Sequence, residues 1–301
     1  MDTELSTSVV IPTYNGSAKV ARLLESLLRQ TKAPGEVVVV VDGSTDGTAE
    51  ALMPWRGLLP LQIVEQPNTG RAAARNAGVQ RSAGELLIFF DDDVTLPPDC
   101  LQKHVAFHAT REGLLTGNPQ ETPGPDKSDL QNYKGMLVKR WVEKYNPGLN
   151  RLSDNQVFFT GANCSVRRSV FDRLNGFDAA LRDIEDQDFA QRAIDKGVPV
   201  WFDLSNTVEH HDEITCVRYI RRLREYATWH RVLAERYPLR THRGARSAGW
   251  KRLVYRMFAS RGWAVSVDQS SLWQVLPRPV RYRLYEVIIH ALSVEFPDIV
   301  L

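Results

Sequence analysis

Five consecutive valines, Val37 to Val41, closed by Asp42-Gly43-Ser44, constrain this chain more than any other stretch of its 301 residues. A run of β-branched side chains makes a poor helix. Being apolar on both faces, it suits a strand covered on both sides, as at the centre of a parallel sheet. Neighbouring segments follow the same pattern. Ser8 to Ile11 is a short apolar run stopped by Pro12, Leu61 to Val64 reads as a third strand, and Leu86 to Phe90 as a fourth. Between them lie helical periods: Val20, Leu23, Leu24, Leu27 and Leu28 share one face, and Ala72 to Arg81 forms another helix. Strands and helices in alternation with short links predict an α/β protein with a mostly parallel, doubly wound sheet and right-handed crossovers. In such sheets ligands bind beyond the carboxyl ends of the strands. The loops after the four strands are therefore expected on one edge, forming one site: Pro12-Thr13-Tyr14-Asn15, Asp42-Gly43-Ser44, Gln66-Pro67-Asn68 and Asp91-Asp92-Asp93.

Beyond Pro97 the pattern is less regular. Val157 to Thr160 reads as a strand leading into Gly161-Ala162-Asn163, Ile184 to Lys196 as a helix, and Val198 to Phe202 as a late strand. The proline-bearing stretch Gln120 to Ser128 reads as a mobile loop, and Cys216 to Arg236 and Lys251 to Ser260 as helices outside the sheet. Charge draws a further line. The net charge is +2, but residues 212–286 hold 16 Lys and Arg against 6 Asp and Glu, which leaves residues 1–211 at −6. An acidic domain over 1–211 and a basic helical extension over 212–301 are expected, and the asymmetry bears on partners rather than on chemistry.

With 25% charged and 43% hydrophobic residues, the composition excludes disordered and collagen-like chains. Cys100, Cys164 and Cys216 are far apart and odd in number, which suits reduced thiols and argues against a Cys-ligated zinc. No secretory signal is evident at Met1 to Ser8 and no apolar run is long enough to cross a bilayer, so a cytoplasmic protein is expected, with peripheral attachment to the inner membrane face left open.

Asp91, Asp92 and Asp93 end an apolar strand abruptly. Three adjacent carboxylates repel one another unless a cation neutralises them, and hard oxygen ligands of this kind select Mg²⁺ or Mn²⁺, often shared with substrate phosphates. The plainer reading is a solvated turn. Asp42 can cap the next helix or accept from a ligand N–H. Arg71 and Arg75 flank a helix start after Asn68-Thr69-Gly70, either as phosphate or ribose partners or as ordinary surface charges. Glu185, Asp186 and Asp188 form a second acidic group. A helix start favours them in any case, and in a cleft one of them could take a proton from a hydroxyl nucleophile. His210-His211 could be structural or could complete an acidic metal site short of ligands. Asn163-Cys164-Ser165 fits a glycosylation sequon by chance, and neither G-x-x-x-x-G-K-[ST] nor G-x-G-x-x-G occurs.

Seven strings in order give these residues a family resemblance. VVIPTYNG begins at Val9, VVVDGSTDGT at Val39, NTGRAAARNAG at Asn68 and FFDDDV at Phe89; GANCSVRR follows at Gly161, GFD at Gly176 and EDQD at Glu185. Together they resemble a family-2 glycosyltransferase of the GT-A fold, over about Thr7 to His211. The resemblance implies a nucleotide-binding half to about residue 96 and an acceptor half over 97–211. It implies that Pro12, Tyr14 and Asp42 hold a uracil-type base, Asp42 through the ring N–H. The family often has two acids there, and this chain has Val41 before Asp42. Asn68 and Arg71 are implied at the nucleoside or its phosphates. Asp91 and Asp93 are implied as the outer acids of a D-x-D motif, with Asp93 a direct metal ligand and Asp91 or Asp92 at the ribose or a metal-bound water. His210 resembles the late metal-binding histidine, with His211 the other choice.

Asp186, beside Glu185, resembles the catalytic base of an inverting displacement on a UDP-sugar, assisted by Mn²⁺ or Mg²⁺. Glycan or lipid-linked acceptors in cell-surface polysaccharide or glycolipid assembly are implied at family level only. The basic region falls outside the resemblance: Val217, Ile220, Leu223 and Ala227 could line a helix face ringed by Arg218, Arg221, Arg222 and Arg224, to dock on anionic lipid or simply to cover the domain. Two alternatives are weighed. A nucleotidyltransferase would need a glycine- and lysine-rich loop after the first strand, where Pro12-Thr13-Tyr14-Asn15 stands. A non-catalytic basic nucleic-acid-binding module would leave the acidic body unexplained, so no nucleic-acid partner is expected.

Overall fold

The computed structural model describes residues 5–121, 123–153, 157–237 and 249–301. They form two compact units, one of residues 1–120 with 141–211, the other of residues 121–140 with 212–301.

The first unit is built on the valine strand. β1 (Thr7–Thr13), β2 (Glu36–Asp42), β3 (Leu61–Gln66) and β4 (Leu86–Phe90) run parallel in the order β3-β2-β1-β4. Helices α1 (Val20–Leu28), α2 (Thr48–Leu52) and α3 (Arg71–Gln80) lie between them in the chain. In β2 the side chains alternate as a pleated strand requires: Val37, Val39 and Val41 join one buried cluster, Val38 and Val40 another with Ala74 of α3. A run apolar on both faces thus covers both sides of the sheet at once.

Further along come β5 (Val94–Thr95), α4 (Cys100–Thr110), β6 (Leu114–Gln120), α5 (Asp129–Val142), β7 (Leu149–Arg151), β8 (Asn163–Arg167), α6 (Arg168–Arg173), α7 (Glu185–Asp195) and β9 (Val200–His210). They extend the sheet beyond β4 in the order β8-β6-β9-β5, with β7 also on β9. β8 runs antiparallel to β4 and β6, and β6 parallel to β9, so the sheet is mixed on this side.

Three expectations change here. Residues 157–160 are not a strand, and the strand is instead Asn163–Arg167. Its polar residues look like a loop but are buried with matched partners. His104 Nε2 and Asn163 Oδ1 are 2.8 Å apart, and the Ser165 hydroxyl lies 2.8 Å from His104 Nδ1 and 2.9 Å from His108 Nε2. Burial pushes His104 down to about 4 and His108 to about 3, so both stay neutral and a neutral network replaces apolar packing. Asn163, inside this network, is inaccessible to a glycan. The late strand runs on to His210, because pairing with β6 stops at Phe202 and resumes at Thr207, the polar residues Asp203–Asn206 falling at one register shift between Thr116 and Asn118. Of the stretch read as a loop, Gln120 ends β6, Glu121 and 123–128 are irregular, and Thr122 lies outside the described residues.

The second unit is helical, with residues 129–140 of α5, then α8 (Cys216–Arg236), α9 (Trp250–Phe258), α10 (Arg261–Gln269) and α11 (Arg278–His290). Leu130, Tyr133, Ile220, Val267, Trp273, Tyr285 and Ile288 are among its core residues. Asp129 anchors it, taking hydrogen bonds of 2.8 Å from both Arg281 and the Tyr285 hydroxyl. Lys134 sits 2.8 Å from Glu121 and 2.7 Å from Asp212. α8 buries Cys216, Ile220 and Leu233, and Arg224 donates to the carbonyls of Leu292 and Ile299 at 2.8 and 2.9 Å. Its apolar face is therefore occupied by its own unit. All three cysteines are free and buried.

Candidate functional site

The carboxyl ends of the parallel strands share one edge, and hydrogen bonds tie their loops together. After β1 the Asn15 backbone N–H donates to the Ser44 hydroxyl at 2.9 Å, and the Thr45 N–H donates to the Asn15 side chain at 2.9 Å. Pro12 is buried in β1 opposite Val40, while Tyr14 projects with 54% of its surface exposed, a free ring face at the edge of the sheet. Asp42 is buried at the end of β2. Its Oδ1 accepts from the Gln66 amide at 2.8 Å and the Thr69 N–H at 2.9 Å, its Oδ2 from the Gly70 N–H at 2.9 Å. This carboxylate braces the loop that launches α3, and Oδ2 retains capacity for one more donor. The loops approach closely only because position 43 is glycine: its φ is +73°, and a Cβ there would lie 2.6 Å from the Asn68 nitrogen. Asn68 is exposed beside it.

The aspartates after β4 have three different environments. Asp91 accepts from Arg75 at 2.6 Å. Burial opposes its charge, but Arg75, with Arg71 and His210, outweighs that and holds the carboxyl below its ordinary range. Asp92 accepts from the Thr13 hydroxyl at 2.6 Å, yet burial still pushes it up to about 6. Asp93 Oδ1 is buried without a hydrogen-bond donor and lies 3.3 Å from His210 Nε2. The two-residue strand β5 explains the meeting, since it pairs Val94 with His210 and Thr95 with Glu209. The adjacent His211 turns instead to the Thr95 hydroxyl, 2.8 Å away.

The second acidic group is split in the same way. Glu185 is buried and ion-paired to Arg75, and Asp188 is buried and paired to Arg192 at 2.8 Å. Asp186, half-buried, takes hydrogen bonds from the backbone: the Gly161 N–H at 3.1 Å on one oxygen and the Gln187 N–H at 2.7 Å on the other. Burial, and then the charge of Glu185, raise its pKa. The residue before the pair, Ile184, has φ +58°, an uncommon conformation for a β-branched side chain and a sign of local strain. Arg71, 44% exposed, reaches to 3.8 Å from Asp183.

Arg75 joins the two groups. It is fully buried, touches Asp91 with one terminal nitrogen and Glu185 with the other, and stays charged because these acids outweigh its burial. A Cβ at position 161 would sit 2.2 Å from the guanidinium, so Gly161 is the residue that admits it. The sequence shows Arg75 as one of two arginines at a helix start, without its partners. Its place on the buried face of α3 with Ala72 and Val79 was the available signal. β5 carries no signal at two residues.

Among the described residues no three His, Cys, Asp or Glu side chains form a ready-made metal cage. The donor set nonetheless fits a cation that shares its shell with a ligand. Asp93 Oδ1 lacks a donor, His210 Nε2 faces it, and Mg²⁺ or Mn²⁺ commonly takes one or two protein ligands plus phosphate oxygens.

Comparison with known proteins agrees with this architecture. A family model described as "Glycosyl transferase family 2" matches residues 8–174. A protein of Streptomyces hygroscopicus subsp. limoneus named validoxylamine A glucosyltransferase is 43% identical over 197 residues, covering 57% of this chain and 43% of that one. The chain spans 43% to 67% of the length of the first curated relatives it matches. Among solved structures, mannosyltransferase PcManGT from Pyrobaculum calidifontis, in complex with GDP-Man and Mn²⁺, superimposes with TM-score 0.61 at 18% identity, covering 99% of this chain and 87% of that one. Residues 1–349 of S. aureus TarS in complex with UDP-GlcNAc give 0.57 at 18% identity, covering 98% and 92%. The mixed, mostly parallel sheet with its helices is of the GT-A type.

Proposed function

This chain belongs to glycosyltransferase family 2, and on that premise we propose that it transfers a sugar from a nucleoside diphosphate, UDP foremost, to an acceptor hydroxyl with inversion at the anomeric carbon. The observation that carries the reading is Arg75: one buried guanidinium links the acidic end of β4 to the acidic start of α7, so both groups border one space.

Tyr14 and Asn68, exposed at the strand ends, take the base and nucleoside, with Pro12 and the remaining acceptor capacity of Asp42 behind them. Arg71 reaches toward the phosphates. Asp93 and His210, together with the donor's phosphate oxygens, would hold Mn²⁺ or Mg²⁺, which when bound stabilises charge on the departing diphosphate. Asp92 and Asp91 border the ribose side of the same loop. Asp186 is the base. Glu185 and Asp188 are neutralised by arginines, whereas Asp186 is held by backbone N–H groups in an orientation fixed by Gly161 and Gln187. It takes the acceptor's proton as the hydroxyl oxygen bonds to the anomeric carbon and the bond to the diphosphate breaks. Its raised pKa suits a base working near neutral pH.

UDP-glucose is the first donor to test, because the relative at 43% identity is named a glucosyltransferase. A glycan or lipid-linked acceptor, and with it a role in surface polysaccharide or glycolipid assembly, follows the family expectation. Two measurements test the proposal: thermal-shift screening of UDP- and GDP-sugars with and without Mn²⁺, and turnover of Asp186→Asn. Stabilisation by UDP-sugars that requires Mn²⁺, with turnover lost in the variant, is the expected result. Donor binding and turnover falling together in Asp186→Asn would remove the base from that position.

A further inference from the structure

In the second unit α9 is mounted on its charged side. Arg252 and Arg256 lie over the Phe296 ring at 5.4 and 5.2 Å, and the Tyr255 ring is 4.7 Å from that of His290. The helix therefore turns its other face outward, and that face is apolar. Trp250, Leu253, Val254 and Met257, spaced i, i+3, i+4 and i+7, are 70%, 71%, 37% and 74% exposed. Trp263 prolongs the stripe: it is 39% exposed, its ring is 5.2 Å from Phe258, and its indole N–H donates to the Met257 carbonyl at 3.0 Å. Contiguous exposed apolar residues mark an interaction surface, whereas scattered ones do not.

The surrounding charge selects the occupant. Lys251 and Arg261 are exposed beside the stripe, and residues 212–286 carry a net +10. A second copy would bring the same positive charge against itself. An anionic lipid surface attracts it, accepts the Leu and Met side chains among its acyl chains, and places Trp at the headgroup level. We infer that α9 is an interfacial anchor that docks this protein on membranes containing anionic lipid. The inference rests on the proposed function for its purpose, which is to bring a lipid-linked acceptor hydroxyl to the enzyme, but binding itself requires no transfer.

The test is flotation of the full chain with phosphatidylcholine vesicles with and without phosphatidylglycerol, alongside calorimetric binding of UDP. The wild type is expected to float only with phosphatidylglycerol and less so as salt rises. L253S/M257S should lose about tenfold or more of that binding, since two apolar side chains no longer insert. Its melting temperature and UDP binding should be unchanged. Lys251→Glu should weaken binding to anionic vesicles alone. A wild type that stays in the aqueous fraction, a double variant that floats like wild type, or a dimer that the double variant dissolves in ultracentrifugation would each overturn the inference. UDP binding that persists in a protein indifferent to vesicles would end this inference and leave the transfer reading standing.

Discussion

The acidic residues after β4 and those at the start of α7 have nearly the same composition and opposite surroundings. Each group contains three acids within four positions. At β4 the side chains do the work: Asp91 is spent on Arg75, Asp92 on Thr13, and Asp93 faces His210. At α7 the backbone does the work: Glu185 and Asp188 are each closed by an arginine, and Asp186 is held by two N–H groups and stays partly exposed. The comparison teaches that acidity alone does not assign a role. Which carboxylate an arginine neutralises does: Arg75 closes one in each group, and Arg192 a second at α7.

The largest effect that could break this contrast is on turnover. Asp186→Asn should lower kcat by roughly 10²–10⁴-fold, the usual contribution of a general base, with donor affinity nearly unchanged. If Glu185→Gln gave that loss with a preserved fold and Asp186→Asn did not, the roles within the pair would be reversed. Next comes stability. Arg75→Met leaves buried Glu185 and half-buried Asp91 without their countercharge and should cost about 3–5 kcal/mol in denaturant unfolding. A cost below about 1 kcal/mol, the range of an exposed pair, would mean that the bridge does not hold the two groups together.

A smaller effect separates the two histidines. His210→Ala should weaken Mn²⁺-dependent UDP binding at least by the roughly 10–100-fold that even an outer-sphere partner costs, while His211→Ala should leave it near wild type. Equal losses would erase the distinction drawn from Asp93 and Thr95. The smallest effect is in pH. Asp186 binds protons more tightly folded than unfolded, so its contribution to stability is lost as pH rises from its unfolded value toward its raised folded one. Asp186→Asn should therefore melt slightly higher than wild type at neutral pH, with the difference shrinking at acid pH. In wild type, kcat should fall as pH drops below the raised value and the base becomes protonated.

Much of this was legible in the residues because strand patterning and loop chemistry are local. The valine run had one comfortable place, and the four loops had to follow their strands to one edge. What was not legible depends on distant partners. The Asn163–Arg167 strand is polar and reads as a loop until His104 and His108 are seen to satisfy it. The polar residues Asp203–Asn206 sit inside a strand only because β6 pairs with β9 on both sides of them, up to Phe202 and again from Thr207. Arg75 reads as a phosphate or ribose partner or as a surface charge until Gly161 is seen to make room for it. Asp42 carries two readings in sequence, a cap or a ligand contact. Its hydrogen bonds from Gln66, Thr69 and Gly70 give it a bracing task whatever it meets in a donor sugar nucleotide. In the second unit, the arginine-ringed face of α8 carries two readings in sequence, a lipid dock or a cover for the domain, and its Val217, Ile220 and Leu223 are packed in the unit's core, while the short α9 carries the exposed stripe.

The measurement closest to the central claim is a crystal soaked with UDP and Mn²⁺ and examined by anomalous scattering. A single manganese peak in contact with Asp93 Oδ1, His210 Nε2 and both phosphates, with Asp186 facing the β-phosphate across open space, is the expected result. A manganese bound away from Asp93, or a diphosphate on the far side of the sheet edge from Asp186, would contradict it.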